Sequence, residues 1–290
     1  YLPSTPRVKG TYLGGVPLGT GLIMDFTRYM NHILEVGEDY VRVQPGLRYG
    51  ELQDELKSRG RYLPPYPASL EICSIGGAVA NNSAGEKTVK YGATRDYVKE
   101  LHVILSNGDM IKTESLTRRQ LGVRKRGDEF IADLYTKTHD LIKENKELID
   151  EHHPHVTKNS SGYALWELEK YGIFDLAQLF TGSQGTLGIV TEIVLETVPA
   201  PKPNDVVLAV SHYDSLQTAG NAIHELQQLE PSALEVVDQN LLKLVLKQNP
   251  ALLEGLLPDQ LPAIILLTEF DDEDNSVQKE KLDKAKKVFD

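Results

Sequence analysis

One cysteine, Cys73, in a chain of 290 residues has no partner for an internal disulfide and cannot by itself hold an iron–sulfur cluster, so any such cluster would sit on a partner or another segment. No apolar run approaches the length of a membrane span, and no signal-peptide pattern precedes the first glycine-bearing segment. Positive charge is also in short supply. With 31 Lys and Arg against 42 Asp and Glu, the net charge is -11, which argues against a surface for nucleic acid or anionic lipid, because neutralising phosphates takes a basic face. The expected location is cytoplasmic, with peripheral membrane association only through a partner. Histidines are few, and the cluster His152, His153 and His155 is interrupted by Pro154. These rings cannot share one helical face and no carboxylate motif follows them, so no metal site is expected.

What is present is 40% hydrophobic and 25% charged residues, the balance of a globular protein with a substantial core. Leu22 to Phe26 and Tyr40 to Gln44 read as strands. Tyr49 to Arg59 reads as a helix with Leu52 and Leu56 on one face and Gly60 as its stop. Asn107-Gly108 between Tyr97–Leu105 and Met110–Thr113 is a hairpin signal. From Thr117 to Glu151 the chain is charged, with Phe130, Leu134, Leu141 and Ile142 at helical spacing. The prolines from Pro199 to Pro203 make a stiff connector where a domain boundary is placed. Beyond it, Val206–His212, Ser215–Leu229, Ala233–Val237, a helix from Gln239 and Ala263–Glu269 repeat a strand–helix–strand logic.

The most informative stretch runs from Ser74 to Asp96. Gly76, Gly77 and Gly85 permit close backbone approach, and Asn81, Asn82 and Ser83 offer hydrogen-bonding groups, a combination suited to a loop cradling a phosphate or a flat polar ring. A second glycine-bearing loop, Thr181 to Glu192, leads into the strand-like Ile189 to Val198. Two such loops suggest one extended ligand.

The segments VRVQPGLRYGELQDEL, LPPYPAS, SIGGAVANNSAG, KYGATRDYV, NSSGYAL and GSQGTLGIVTE occur in the order seen in FAD-linked oxidases and dehydrogenases of the vanillyl-alcohol oxidase type. Within that superfamily the chain resembles the branch that oxidises D-2-hydroxy acids: D-lactate dehydrogenase, the flavin subunit of glycolate oxidase and D-2-hydroxyglutarate dehydrogenase. The likeness runs from about Pro6 to Pro199 and continues weakly beyond. It implies an α+β fold: a PCMH-type FAD-binding domain over residues 1–200, with a charged helical insertion at about 117–151, then the start of an α+β substrate or cap domain at 204–290. By the same resemblance the chain is expected to be truncated at both ends, without the C-terminal region that carries the family's catalytic base and metal ligands.

The resemblance places Arg7, Lys9, Gly10, Thr11, Pro67, Ser69, Ile75, Gly76, Gly77, Asn82, Ser83, Gly85, Tyr91, Gly92, Gly185, Gly188 and Ile189 around the cofactor. The Pro6 to Gly15 loop corresponds to the family's pyrophosphate loop, but Val8 and Lys9 stand where small residues are expected, and their Cβ atoms restrict the positive-φ geometry of an anion nest. Lys9 either supplies a direct charge to the phosphate or is a solvated surface lysine. Arg95 and Asp96 read either as part of the site or as a structural ion pair. In Lys158–Tyr163, Lys158 and Tyr163 are candidates for orienting a substrate carboxylate, with a turn at Gly162 as the alternative. The pyrophosphate loop has no histidine to tether a flavin and Cys73 lies at the wrong spacing, so FAD is expected to bind non-covalently.

The activity implied is hydride transfer from the α-carbon of a 2-hydroxy acid to FAD, giving a 2-oxo acid, with electrons passed to an external protein or quinone, an iron–sulfur subunit being one option. The alternative is an FAD-binding electron-transfer or assembly module without turnover of its own. A reductase of the muramate type, using NADPH, is a third reading.

Overall fold

The computed structural model describes residues 3–127, 129–202, 205–258 and 260–289. Pro203, the last proline of the expected connector, and Asn204 lie outside the described residues. The chain forms two compact units, one from Tyr1–Gly85 and Gly92–Pro199, the other from Glu86–Tyr91 and Ala200–Asp290.

The first unit is organised by a five-stranded antiparallel sheet in the spatial order Ile33–Val36, Tyr40–Val43, Ile189–Glu196, Val98–Ile104 and Met110–Lys112. Strand alternation sends Val41, Val43, Leu101, Val103, Ile193 and Leu195 into the core, where the Tyr49–Ser58 helix adds Tyr49, Leu52 and Leu56. The opposite face is charged. Arg42 is held there by Glu100 at 3.2 Å, Glu192 at 3.3 Å and Glu35 at 3.6 Å. Gly108, at φ +91°, makes the expected hairpin turn between Val98–Ile104 and Met110–Lys112.

The charged stretch forms three helices, Arg118–Arg124, Glu129–Glu144 and Lys146–Glu151. Its buried stripe differs from the expected one. Tyr135 and Ile142 are buried, whereas Phe130 and Leu141 are exposed, because the helix presents to Phe174 the face carrying the Tyr135 ring, with centroids 6.2 Å apart. Phe174 belongs to a small sheet of Ser115–Thr117, Ile173–Asp175 and Glu169–Lys170. His153 stacks on Trp166 at 4.8 Å.

Two further departures bear on the site. Ser4–Arg7, expected as part of a loop, is a strand paired in parallel with Leu22–Asp25. Ile75–Ala80, also expected as loop, is a helix. Ile75, Ala78 and Val79 recur at helical spacing and are buried, so burying this stripe outweighs the low helix propensity of Gly76 and Gly77.

The second unit is a three-stranded antiparallel sheet in the order Val207–Tyr213, Ile264–Phe270, Ala233–Asp238. The helices Leu216–Gln227 and Asn275–Phe289 supply Ala219, Ala222, Leu226 and Ala285 to a core with Leu266 and Phe270. The Glu86–Tyr91 segment is pinned within this unit. Lys87 pairs with Glu269, Lys90 lies 2.5 Å from Asp271, and the Tyr91 hydroxyl donates to Asp271 at 2.7 Å. Burial alone would pull Lys90 down, but the hydrogen bond and charge of Asp271 hold its pKa above the ordinary lysine value.

Candidate functional site

The Ile75–Ala80 helix forms one wall of a cleft in the first unit. Its start is packed flush on the preceding chain: the N–H of Ile75 donates to the Leu47 carbonyl at 3.0 Å and that of Gly76 to the Pro45 carbonyl at 2.8 Å. A Cβ on Gly76 would lie 2.5 Å from Pro45 Cβ and 2.8 Å from its carbonyl oxygen, so glycine there is a packing requirement. Gly77 faces the opening. A Cβ on it would meet only Val8 Cγ2, at 3.2 Å.

The second wall is the turn Thr181–Gly188. Gly182 at φ +87°, Gln184 at φ 55° and Gly185 at φ +75° give it a left-handed course. Backbone hydrogen bonds tie the walls together, from Gly182 N–H to the Val79 carbonyl and from Gln184 N–H to the Ala80 carbonyl, each 2.9 Å. The Pro6–Pro17 segment supplies the third side through Arg7, Val8, Gly10, Thr11 and Tyr12. The hollow encloses about 820 Å³ of empty space, open mouth included. A second hollow shares Thr11, Tyr12, Gly77 and Asn81 with it and continues to Pro67, Ser69, Cys73 and Ser83. Together they make one continuous site bordered by the three segments.

Among the expected cofactor residues, Arg7, Gly10, Thr11, Gly76, Gly77, Gly185 and Gly188 line the main hollow, and Pro67, Ser69 and Ser83 line its continuation. Lys9 is exposed and lines an adjoining hollow with Asp25 and Thr27, which shares Arg7, Val8, Gly10, Tyr12 and Pro17 with the main one. There the N–H and hydroxyl of Thr27 hold Asp25 below the usual carboxylate range, with Arg7 and Lys9 adding to the effect.

The remaining expected residues do not line these two hollows. Ile75 is fully buried in the core. Gly85 fits against the Tyr66–Pro67 turn, since a Cβ would fall 1.9 Å from the Tyr66 carbonyl oxygen. Gly92, at φ +77°, makes a turn against the Asp96 carboxylate. Tyr91 bonds to Asp271 within the second unit. Ile189 opens its strand opposite Ile104. Asn82 is buried at φ 44°, its side chain donating to the Asn159 carbonyl at 3.1 Å and accepting from the Arg95 N–H at 2.9 Å.

Arg95 and Asp96 do not form the ion pair that adjacency suggests. Asp96 accepts from the Ala93 N–H at 2.8 Å, while the Arg95 guanidinium donates to the carbonyls of Gln178 and Thr181. Lys158 is exposed, and the Tyr163 hydroxyl is 2.8 Å from Thr186 Oγ1. Burial pushes the Cys73 thiol pKa up, which keeps it protonated and a poor nucleophile toward a flavin ring.

Several lining residues escaped sequence reasoning: Tyr12, Pro45, Ser74, Phe180, Ser183 and Gln184. Pro45, Ser74, Ser183 and Gln184 lie inside the quoted motifs, which was the available signal. Ser74 is the most telling. It is 1% exposed, lines the main hollow, and its hydroxyl makes no hydrogen bond among the described residues. A buried hydroxyl without a partner is costly unless a ligand satisfies it. FAD fits this site: the Gly77 position is open to a ligand, and the buried, unpartnered Ser74 hydroxyl offers a donor to its oxygen atoms.

Residues 1–114 match the family described as FAD binding domain, and residues 202–290 match the C-terminal domain of FAD linked oxidases. The chain is 31% identical over 246 residues to the D-2-hydroxyglutarate dehydrogenase of Pseudomonas putida, covering 84% of this chain and 24% of that protein. It is 32% identical over 244 residues to the glycolate oxidase subunit GlcD of Bacillus subtilis (82% and 41%), and 30% identical over 244 residues to the D-lactate dehydrogenase of Anaerostipes hadrus (82% and 40%). The chain thus spans less than half the length of these relatives. A solved alkyldihydroxyacetonephosphate synthase superposes with a TM-score of 0.65 at 17% identity, covering 99% of this chain and 47% of that one, a likeness of fold. With an FAD-binding-domain model matched before the connector, an FAD-linked-oxidase model matched after it, and relatives of about 30% identity that are FAD-linked oxidases and dehydrogenases, the chain belongs to the FAD-linked oxidase family of flavoproteins.

Proposed function

We propose that the protein oxidises a 2-hydroxy acid of the D-lactate, glycolate or D-2-hydroxyglutarate class to the 2-oxo acid, passing the electrons to an external protein or quinone. The observation that carries this reading is the agreement of three relatives, each about 30% identical, whose names all denote oxidation of a 2-hydroxy acid. When bound, FAD supplies the hydride acceptor, and the protein supplies position and surroundings. The Ser74 hydroxyl and the open backbone at Gly77 would hold the dinucleotide in the main hollow. Pro67, Ser69 and Ser83 would border its other end, where Ser69 and Ser83 offer hydroxyls that can donate or accept. Of the two residues considered for the substrate carboxylate, Lys158 carries the charge an anion requires, whereas Tyr163 engages Thr186. The domains are read as 1–200 for the cofactor and 204–290 for the start of the substrate side.

The test is anaerobic addition of D- and L-2-hydroxy acids to the purified full-length flavoprotein. Bleaching of the flavin bands by one enantiomer supports the proposal. Flavin bands that no 2-hydroxy acid bleaches would replace it with the reading of an FAD-binding module without turnover.

A further inference from the structure

Arg95 has none of the features of a ligand-facing residue. It is 7% exposed, and burial lowers its pKa, with Glu167 and Asp96 acting in the opposite direction. Its donors run to segments that adjoin the two walls of the cleft. The backbone N–H donates to Asn82 Oδ1 at 2.9 Å, two residues past the Ile75–Ala80 wall. The guanidinium donates through Nη1 to the Gln178 carbonyl, and through Nη2 to the Thr181 carbonyl at 2.8 Å, where the second wall begins.

The surrounding backbone is shaped to admit this fork. Gly182 is at φ +87°, and a Cβ there would sit 3.0 Å from Arg95 Nη2 and 3.5 Å from Asn82 Cβ. Asn82 takes up a positive φ of 44° while its amide reaches the Asn159 carbonyl. The residues next to these anchor points face the hollows: Asn81 and Ser83 flank Asn82, and Ser183, Gln184 and Gly185 follow Gly182. The carbonyls that Arg95 takes up lie at the end of the short Ala177–Phe180 helix, which cannot satisfy them itself.

We propose that Arg95 is a positioning residue for the cofactor, its backbone N–H holding Asn82 while its forked guanidinium holds the Gln178 and Thr181 carbonyls, so that Asn81, Ser83, Ser183 and Gln184 meet FAD together. The inference rests on the reading of the cleft as the FAD site. A planar fork can hold two carbonyls in fixed relative positions; a lysine ammonium is a single flexible point. Arg95→Lys therefore keeps the charge and loses the spacing.

The experiment strips flavin from the parent, Arg95→Lys and Gly182→Ala proteins and titrates FAD back. It follows flavin fluorescence, visible circular dichroism of the bound ring, and thermal melting of each apoprotein. Expected are an Arg95→Lys affinity weaker by about tenfold or more, an altered visible dichroism, and an apoprotein that still melts cooperatively, at a lower midpoint because the Gln178 and Thr181 carbonyls lose donors. Gly182→Ala, whose methyl crowds Arg95 Nη2 on a backbone at φ +87°, shifts both flavin readouts in the same direction and is the second variant if Arg95→Lys does not fold. Parent-like affinity and dichroism in the folded variants overturn the inference alone. A parent that takes up no FAD overturns the cofactor reading beneath it.

Discussion

The Pro6–Gly15 segment and the Ile75–Ala80 helix border the same cleft, and both carry glycines, but they hold their shapes by different means. Gly76 is pressed against Pro45, and just beyond the helix Gly85 is pressed against the Tyr66 carbonyl, closely enough that any Cβ would collide with backbone. In the N-terminal segment, Gly10 at φ +66° would bring a Cβ no closer than 3.7 Å to another residue, and Gly15 at φ +80° meets nothing within 4 Å. The helix side is shaped by the protein's packing. In the N-terminal segment Gly10 and Gly15 serve local dihedral freedom at positive φ, and Gly14 meets only the Tyr12 side chain. Glycine spacing looks alike in the two cases because it reports only the absence of a side chain.

Substitutions separate the two kinds of glycine, and the largest effect belongs to packing. Gly85→Ala puts a methyl 1.9 Å from the Tyr66 carbonyl oxygen. It should destabilise the fold by about 3 kcal/mol or more, at or above the upper end of ordinary overpacking, seen as a lower thermal midpoint of the apoprotein. A parent-like midpoint would erase the distinction drawn above.

Gly77→Val comes next and should behave in the opposite way. Its side chain enters the cleft toward Val8 rather than backbone. Melting should stay near the parent, while FAD affinity falls by about a hundredfold, roughly 2.7 kcal/mol. Flavin content equal to the parent's would remove Gly77 from the cofactor site.

Val8→Gly probes the N-terminal segment. Removing the side chain that faces Gly77 widens the cleft and restores nest geometry, against the entropy of a freer loop, so affinity for FAD should rise by less than about tenfold. Weaker binding would mean that the Val8 side chain packs on the ligand.

Lys9→Ala is expected to have the smallest effect. Lys9 is exposed, and its hollow holds Asp25 and Thr27. The variant should lose less than about fivefold in FAD affinity, because exposed charges act weakly through water, and the difference should vanish at high salt. A larger loss would show that Lys9 swings onto the diphosphate when the ligand binds.

Elements whose signals are local were legible. The Tyr49–Ser58 helix follows from the spacing of Leu52 and Leu56, and the hairpin from Asn107-Gly108. Ser4–Arg7 and Ile33–Val36 were not read as strands, because each is short and defined by its partner, Leu22–Asp25 and Tyr40–Val43 respectively. The Ile75–Ala80 helix was hidden by its two glycines.

For the cleft, the residue types and order of the motifs were enough to locate the N-terminal segment, the Ile75–Ala80 wall and the Thr181–Gly188 wall, since glycines and small polar side chains clustered in sequence point to close ligand approach. The division of labour within those motifs was not contained in them. Asn82 and Arg95 became braces, Gly76 and Gly85 packing contacts, and Ser74 a buried hydroxyl awaiting a partner, through contacts with Asn159, Thr181, Pro45 and Tyr66 that lie far along the chain or across the fold. A sequence pattern records which side chain stands at a position. Whether that side chain meets a ligand, another wall or the core depends on what folding brings against it, and only the tertiary structure decided that.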